Sequence, residues 1–461
     1  MQAPFDIAAD LDTPVSAFLK LRPFGPRLLL ESVERGETLG RYSFIGFNGG
    51  VDVVLDEQRL RLNGRTLPAP RGRVELLAAL RGAMEDVPHL EPAVASLPFH
   101  GGLVGIAAYD LVRHFERLPE GPAPRRGEPL AAFVAPRSLL VFDHLTRRVA
   151  LLHAGDDAER MALRREVIAA LRGPTPDGAR RGRHAPALPS LTSSEYCAAV
   201  ERTQGHIRAG DIFQLVLAVR FAGEADLDPF AVYRALRLTN PSPYMYYLEL
   251  GDLRVAGTSP EALVRLSGRS ASLRPIAGTR PRGADDASDQ RHEQELLADP
   301  KEAAEHVMLV DLARNDLGRV ATAGSIRVEP FRAIERYSHV MHIVSGVTGV
   351  LVPEADAFDL FAAAFPAGTV TGAPKIRAMQ LIDELEPVRR GLYAGTIGYF
   401  GHGGSMDQAI AIRTLVFNDG HYAFQAGAGI VADSVPDREH AEVMAKGAAL
   451  SAALTLAEEG L

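Results

Sequence analysis

The sequence predicts an α+β protein of layered antiparallel β-sheets with helices on their outer faces, and three observations carry that expectation. Strand-like runs come in consecutive clusters, such as MYYLELG, LRVAGTS and ALVRLSG within 245–268, with no room for a crossover helix between them. Amphipathic stretches such as SSEYCAAVERTQGHIRAG at 193–210 flank these clusters. Neither GxGxxG nor GxxxxGK[ST] occurs, so dinucleotide and P-loop sheets lose support.

The elements follow in order. RLLLES, RYSFIGF, VDVVLD, LVGIAAYD and RSLLVFD are apolar, β-branched or aromatic runs punctuated by Gly, Asn and Asp, and read as strands of the first ~150 residues. VELLAALRGAM and REVIAALRG are helical between and after them. PTPDGARRGRHAPALPS combines Pro, Gly, Arg and His without apolar periodicity, which predicts an exposed connection near 173–190. The expected division is therefore 1–172, a linker 173–190, and 191–461. In the last part, FQLVLAVRF, GLYAGTIGYFG, DQAIAIRTLVF and YAFQAGAGIV read as further strands. A chain of 461 residues should hold more than one core, since cores rarely grow past roughly 250–300 residues.

Composition excludes several function classes. The formal net charge of −8 gives no general affinity for nucleic acid. The single cysteine, Cys197, allows neither an intramolecular disulfide nor a thiolate metal cluster. The acidic start MQAPFDIAADLD is unlike a secretion signal, and no apolar run reaches the ~18–20 residues that cross a bilayer, so a cytoplasmic protein is expected.

Two helix starts carry the same acidic pattern. Asp299 is a candidate N-cap before Pro300, and Asp433 or Ser434 before Pro436. Each helix then offers an ExxE pair, Glu302 with Glu305 and Glu439 with Glu442, whose spacing puts both carboxylates on one face. Such pairs are common on solvated helices. Four carboxylates in one cleft would need a cation, and all-oxygen ligands suit Mg2+. Gly427 and Gly429 of QAGAG, and Gly278 and Thr279 of PIAGTRPRG, offer amides and a hydroxyl at low steric cost. Thr369 precedes a helix whose start Pro374 marks, a place that attracts anions. Arg413 lies inside the apolar run AIAIRTLVF and needs a partner, a carboxylate being the natural one. Lys446 stands one turn beyond Glu442, to pair with it or reach a ligand anion. His342, among apolar neighbours, reads by itself as a core histidine.

These motifs together, GDIFQLVLAVRF, SPEALVRL, PIAGTRPRG, DPKEAAEHVMLVDLARNDLGRV, RYSHVMH, FPAGTVTGAPKIRAM, AIAIRTLV and QAGAGIVADSVP, closely resemble the chorismate-utilising enzymes over residues 193–450. Within that family the likeness is to the large subunits (component I) of anthranilate synthases. The resemblance implies Mg2+ held by Glu305 and Glu442, with Glu302 and Glu439 acting directly or through water. It implies that Tyr393, Arg413 and the Gly429 amide hold the enolpyruvyl carboxylate of chorismate, with Thr369, Gly278, Thr279 and Lys446 completing the anion pocket. Glu261 matches the general acid for the 4-hydroxyl and His342 the group that manages the ring proton. Gln214 stands where water-adding relatives carry a lysine base. Ala277 stands where aminodeoxychorismate-forming relatives typically carry a lysine nucleophile. Ammonia attack at ring carbon 2 to give anthranilate is thus the leading expectation, with aminodeoxychorismate or aminodeoxyisochorismate synthesis as the alternative.

The resemblance also implies an inhibitory L-tryptophan site. Glu31 and Ser32 of LLES would meet the ammonium with Arg41 nearby, and Pro243, Tyr244 and Met245 of NPSPYM would enclose the indole. With no cysteine placed for amidotransfer, ammonia would come from a separate glutamine amidotransferase subunit (component II), in a heterotetramer of two large and two small subunits.

Overall fold

The protein is described by a computed structural model covering residues 4–32, 40–94, 96–125, 127–176, 182–336 and 340–461. Residues 337–339 of RYSHVMH and 177–181 of the 173–190 segment lie outside the described residues. The architecture is α+β, with extensive antiparallel sheet flanked by helices.

RYSFIGF and VDVVLD form one strand, Tyr42–Leu55, rather than two. Asn48 and Gly49, which look like a turn, adopt φ of +64° and +53° and make a bulge between Phe47 and Gly50 while pairing with Ala131–Asp143 continues on both sides. Gly50 is required there: a Cβ would lie 1.7 Å from the Ala135 carbonyl.

Pairings cross between the two halves of the sequence. Leu28–Glu31 lies antiparallel to Tyr244–Leu250, matching Glu31 with Met245, and Gly102–Ala107 lies antiparallel to Thr396–Gly401. One core packs Phe18, Phe230 and Tyr247, with Phe18 and Phe230 stacked at 4.4 Å between centroids. A second gathers Phe358, Phe361 and Phe400 under the Gly72–Glu85 helix. The long Gln214–Glu224 strand pairs over ten residues with His421–Ile430, bringing Leu215–Leu217 opposite Ala428–Ile430.

MYYLELG and LRVAGTS pair as expected. ALVRLSG leaves that pairing and joins Met406–Ile410 and Ser270–Leu273 instead. The reason is a bend at Ser259–Glu261, where the Ser259 hydroxyl donates to the Ile410 carbonyl at 2.6 Å and the Ile410 amide donates to the Glu261 carbonyl at 3.0 Å. DQAIAIRTLVF is likewise two strands, Met406–Ile410 and Thr414–Asn418, separated by a turn at Ala411–Arg413.

Asp299 caps the helix Pro300–Gly318 as the sequence suggests, accepting from the Lys301 and Glu302 amides. The helix Pro436–Glu459 differs, because its N-cap is Val435. The Ser434 hydroxyl accepts from the Val431 amide and is thereby committed to the preceding turn.

Candidate active site

One carboxylate from each acidic helix, Glu305 and Glu442, feels the charge of the other. Burial raises the Glu305 carboxyl from its ordinary value, the Gln214 amide opposes the rise, and the charges of Glu302 and Glu442 add to it. Glu442, from the C-terminal helix, is thus within electrostatic reach of Glu305. Gln214 Nε2 donates to Glu305 Oε1 at 3.2 Å. A Cβ on Gly429 would fall 2.7 Å from that same Gln214 Nε2, so the glycine makes room for the amide. Lys446 pairs with Glu442 at 2.7 Å and donates to the Gly427 carbonyl at 2.9 Å. A Cβ on Gly427 would lie 2.6 Å from the Tyr393 hydroxyl, whose pKa burial pushes up to about 12. Glu439, half-buried, acts with Glu442 on the buried phenol of Tyr196, which burial first and these charges next raise.

The other wall is built by PIAGTRPRG. Gly278, at φ +68°, sits in a bulge between Ala277 and Thr279, where the strand Ile276–Pro281 pairs with Val340–Val344. Its missing Cβ would lie 3.0 Å from Glu302 Oε2. His342 Nδ1 stands 3.0 Å from the Gly278 carbonyl and 3.1 Å from the Thr279 hydroxyl, the first contact fixing a donor nitrogen there. Burial lowers the His342 pKa, Gly278 opposes, and the Arg413 charge lowers it further, so the ring is neutral at pH 7.

Arg413 departs from expectation in two ways. It lies in the turn between strands, at φ +50°, rather than inside a strand. Its polar partner is Asn240, whose Oδ1 accepts from Nη1 at 3.2 Å, rather than a carboxylate. The side chain is open to the cleft yet closely surrounded, and desolvation alone lowers its pKa. Among the described residues no carboxylate meets this guanidinium, which leaves donors open toward the cleft.

Glu261 follows the Ser259 bend and lines a small cavity with Gly368, Thr369 and Ile410. Burial raises its carboxyl to about 7, and the Thr369 hydroxyl opposes. That contact falls short of a formed hydrogen bond, because buried Thr369 Oγ1 has no hydrogen-bond partner among the described residues. A buried hydroxyl without a partner beside a protonated acid is unfinished until a polar ligand completes it.

Among the described residues no three carboxylates, imidazoles or thiols form a ready metal cluster. Three of the four acids each have a partner of their own: Glu302 has Arg280 at 3.3 Å, Glu305 has Gln214, and Glu442 has Lys446. The set is all-oxygen, the donor type that hard divalent cations take, and at present Arg280 and Lys446 offset the charge of Glu302 and Glu442. Sequence reasoning missed Arg280, though it stands in a quoted motif, and missed Asn240, which begins NPSPYM.

A second cavity, of about 400 Å³, is lined by Glu31, Ser32, Pro243, Tyr244 and Met245 together with Arg265 and Asp407. Arg41 does not line it: it pairs with Asp143 at 3.0 Å and lies over the Tyr42 ring. Glu31 accepts from the Tyr233 hydroxyl and from Arg237. The Ser32 and Ser405 hydroxyls, both lining this cavity, are buried without partners among the described residues.

The layered antiparallel fold is that of the chorismate-utilising enzymes: residues 33–452 match the chorismate binding enzyme family, and the chain belongs to it. Anthranilate synthase component 1 of Thermus thermophilus is 48% identical over 98% of this chain and 97% of its own length. The structure of anthranilate synthase component I from Streptococcus pneumoniae superposes with a TM-score of 0.80 at 34% identity, covering 98% of this chain and all (100%) of that one. The menaquinone-specific isochorismate synthase of Escherichia coli shares the fold, with a TM-score of 0.69 at 20% identity over 95% of this chain and 91% of its own.

Proposed function

We propose that the chain is the large, chorismate-converting subunit of an anthranilate synthase, turning chorismate and ammonia into anthranilate, pyruvate and water. The observation that carries this reading is that neither position 277 nor position 214 carries a lysine amine. Ala277 is a buried methyl group, and Gln214 is an amide engaged with Glu305, so the attacking nitrogen is free ammonia.

Arg413, Tyr393 and the Gly429 amide bind the enolpyruvyl carboxylate, and Thr369, Gly278, Thr279 and Lys446 hold the rest of the anion. Glu305 and Glu442, with Glu302 and Glu439, would hold Mg2+, which neutralises the ring carboxylate when bound. Ammonia forms the bond at ring carbon 2 as the bond from carbon 4 to its hydroxyl breaks. Glu261, a carboxyl protonated up to about pH 7, gives that hydroxyl its proton, and water departs. His342, neutral, takes the ring proton from carbon 2 as the enolpyruvyl carbon–oxygen bond breaks, and pyruvate leaves with a proton on its methyl carbon. The aromatic ring gained makes this step favourable.

The 400 Å³ cavity supports inhibition by tryptophan. Its aromatic and proline walls suit an indole, and the unpartnered Ser32 and Ser405 hydroxyls suit an α-ammonium and α-carboxylate. Glutamine use would need a partner subunit. The lone thiol, Cys197, has its pKa raised by burial and by Asp437, the reverse of an activated nucleophile. An apolar recess of about 690 Å³ beside Gln214 and Glu305, with Phe213 and Val307 exposed on it, supports docking of that glutaminase where ammonia must enter.

The test is product fluorescence from purified chain, chorismate, Mg2+ and ammonium. Fluorescent anthranilate is expected, with glutamine unable to replace ammonium. Chorismate consumed without fluorescence would favour an aminated chorismate as product and overturn the reading.

A further inference from the structure

Two charges lie in the interior with almost no exposure and with no part in the chemistry above. Arg390 is 2% exposed and Glu386, four residues earlier, 4%. Arg390 Nη2 donates to Glu386 Oε1 at 2.6 Å and Nε to Oε2 at 2.9 Å. The remaining donors reach main chain: Nη1 to the Val370 carbonyl and Nη2 to the Val216 carbonyl, both at 2.7 Å. Glu386 in turn accepts from the Ala218 amide at 2.9 Å. The guanidinium also lies over the Tyr393 ring, 5.5 Å from its centroid, and the Arg390 carbonyl accepts from the Gln425 side chain.

A buried ion pair adds little stability compared with apolar side chains of the same size, so its use is more often geometric. The guanidinium also lies over the buried Tyr109 ring, 5.0 Å from its centroid, but the hydrogen-bonded ties and the Tyr393 ring lead toward the pocket. Val370 follows Thr369, Val216 is two residues from Gln214, Gln425 is two residues from Gly427, and Tyr393 is itself a pocket residue. A planar fork with fixed donor directions is suited to hold separate segments in one relation. We propose that the Arg390–Glu386 pair is a positioning device that fixes Thr369, Gln214, Gly427 and Tyr393 relative to one another around the substrate. The proposal rests on the chorismate assignment above. It makes loss of the fork an event read in substrate binding and turnover, beyond any effect on stability.

The experiment compares wild type with Arg390→Lys, which keeps the charge and loses the fork, and with the double variant Glu386→Gln/Arg390→Met, which removes both charges. Chorismate affinity is measured calorimetrically with Mg2+ in ammonium-free buffer, where no turnover occurs, and kcat and KM with ammonium added. Far-UV circular dichroism checks folding. Expected is at least a tenfold rise in Kd and KM for both variants and at least a tenfold fall in kcat per folded molecule. Variants that melt earlier but keep wild-type Kd, KM and kcat would overturn the proposal, leaving the pair a stabilising role alone. If neither variant folds, amide exchange in the wild type decides: chorismate should slow the Ala218 amide and the 370–371 and 425–427 amides together, and slowing confined to one segment overturns it. Wild type that binds no chorismate would instead remove the substrate assignment, a separate and recognisable failure.

Discussion

Glu261 shows how a single side chain carries opposite demands. Its folded pKa of about 7 lies above the ordinary 4.5, so the folded state prefers the proton. The stability linked to it is complete below pH 4.5 and is lost as pH rises through about 7. Since each tenfold change in proton affinity is worth about 1.4 kcal/mol, the loss by pH 8 is up to about 3 kcal/mol. Glu261→Gln is therefore expected to raise the denaturation free energy at pH 8 by up to that amount and to leave it nearly unchanged at pH 4. The same variant should lose roughly 10²–10⁴ in kcat, and wild-type kcat should fall above pH 7. Equal denaturation curves at both pH values would contradict the burial argument. At Gly427 the reach of a methyl group decides: a Cβ 2.6 Å from the Tyr393 hydroxyl would displace it. Gly427→Ala should raise KM for chorismate roughly 10–100-fold, the worth of a hydrogen bond to a charged group, with circular dichroism unchanged. Glycines and acids of this kind were legible in the sequence because their chemistry is local. The Asn240 partner of Arg413 was not, since residues 173 apart are joined only by the turn that gives Arg413 its positive φ.

At the scale of elements, the helix Pro300–Gly318 is set by Asp299, which caps two amides and accepts from Arg280 at 2.9 Å. One aspartate thus fixes both the helix start and the arginine that holds Glu302. Asp299→Ala should cost about 1–2 kcal/mol in a denaturant titration and weaken Mn2+ binding as well. A variant of unchanged stability would show that the cap carries no weight. The second acidic helix was readable from Pro436 but its cap was not, because Ser434 is committed to the turn at Val431. Strand limits failed for a similar reason. Apolar runs tell where a strand can form, while a bend such as Ser259–Glu261 and a bulge such as Asn48–Gly50 depend on partners distant in sequence.

The whole molecule is knit by strands from distant parts of the chain. Leu28–Glu31 beside Tyr244–Leu250 places Glu31 opposite Met245, which is why two remote motifs line one cavity. The layered α+β class was visible in the clustering of strand runs; the joining of the halves was not, because register between distant strands leaves no trace in composition. Tryptophan at a hundredfold excess over its dissociation constant should stabilise the folded chain by about 2.7 kcal/mol, seen as a higher melting temperature alongside inhibition. A melting temperature indifferent to tryptophan would contradict the effector reading.

The proposition beneath all of this is that the acids of 302–305 and 439–442 face one another across a single cation position. Anomalous scattering from crystals soaked with Mn2+ tests it most directly. The expected result is one strong peak bonded to carboxylates of both helices, Glu305 and Glu442 among them, with Arg280 and Lys446 withdrawn. A peak bound by one helix alone, or located elsewhere in the molecule, would contradict it.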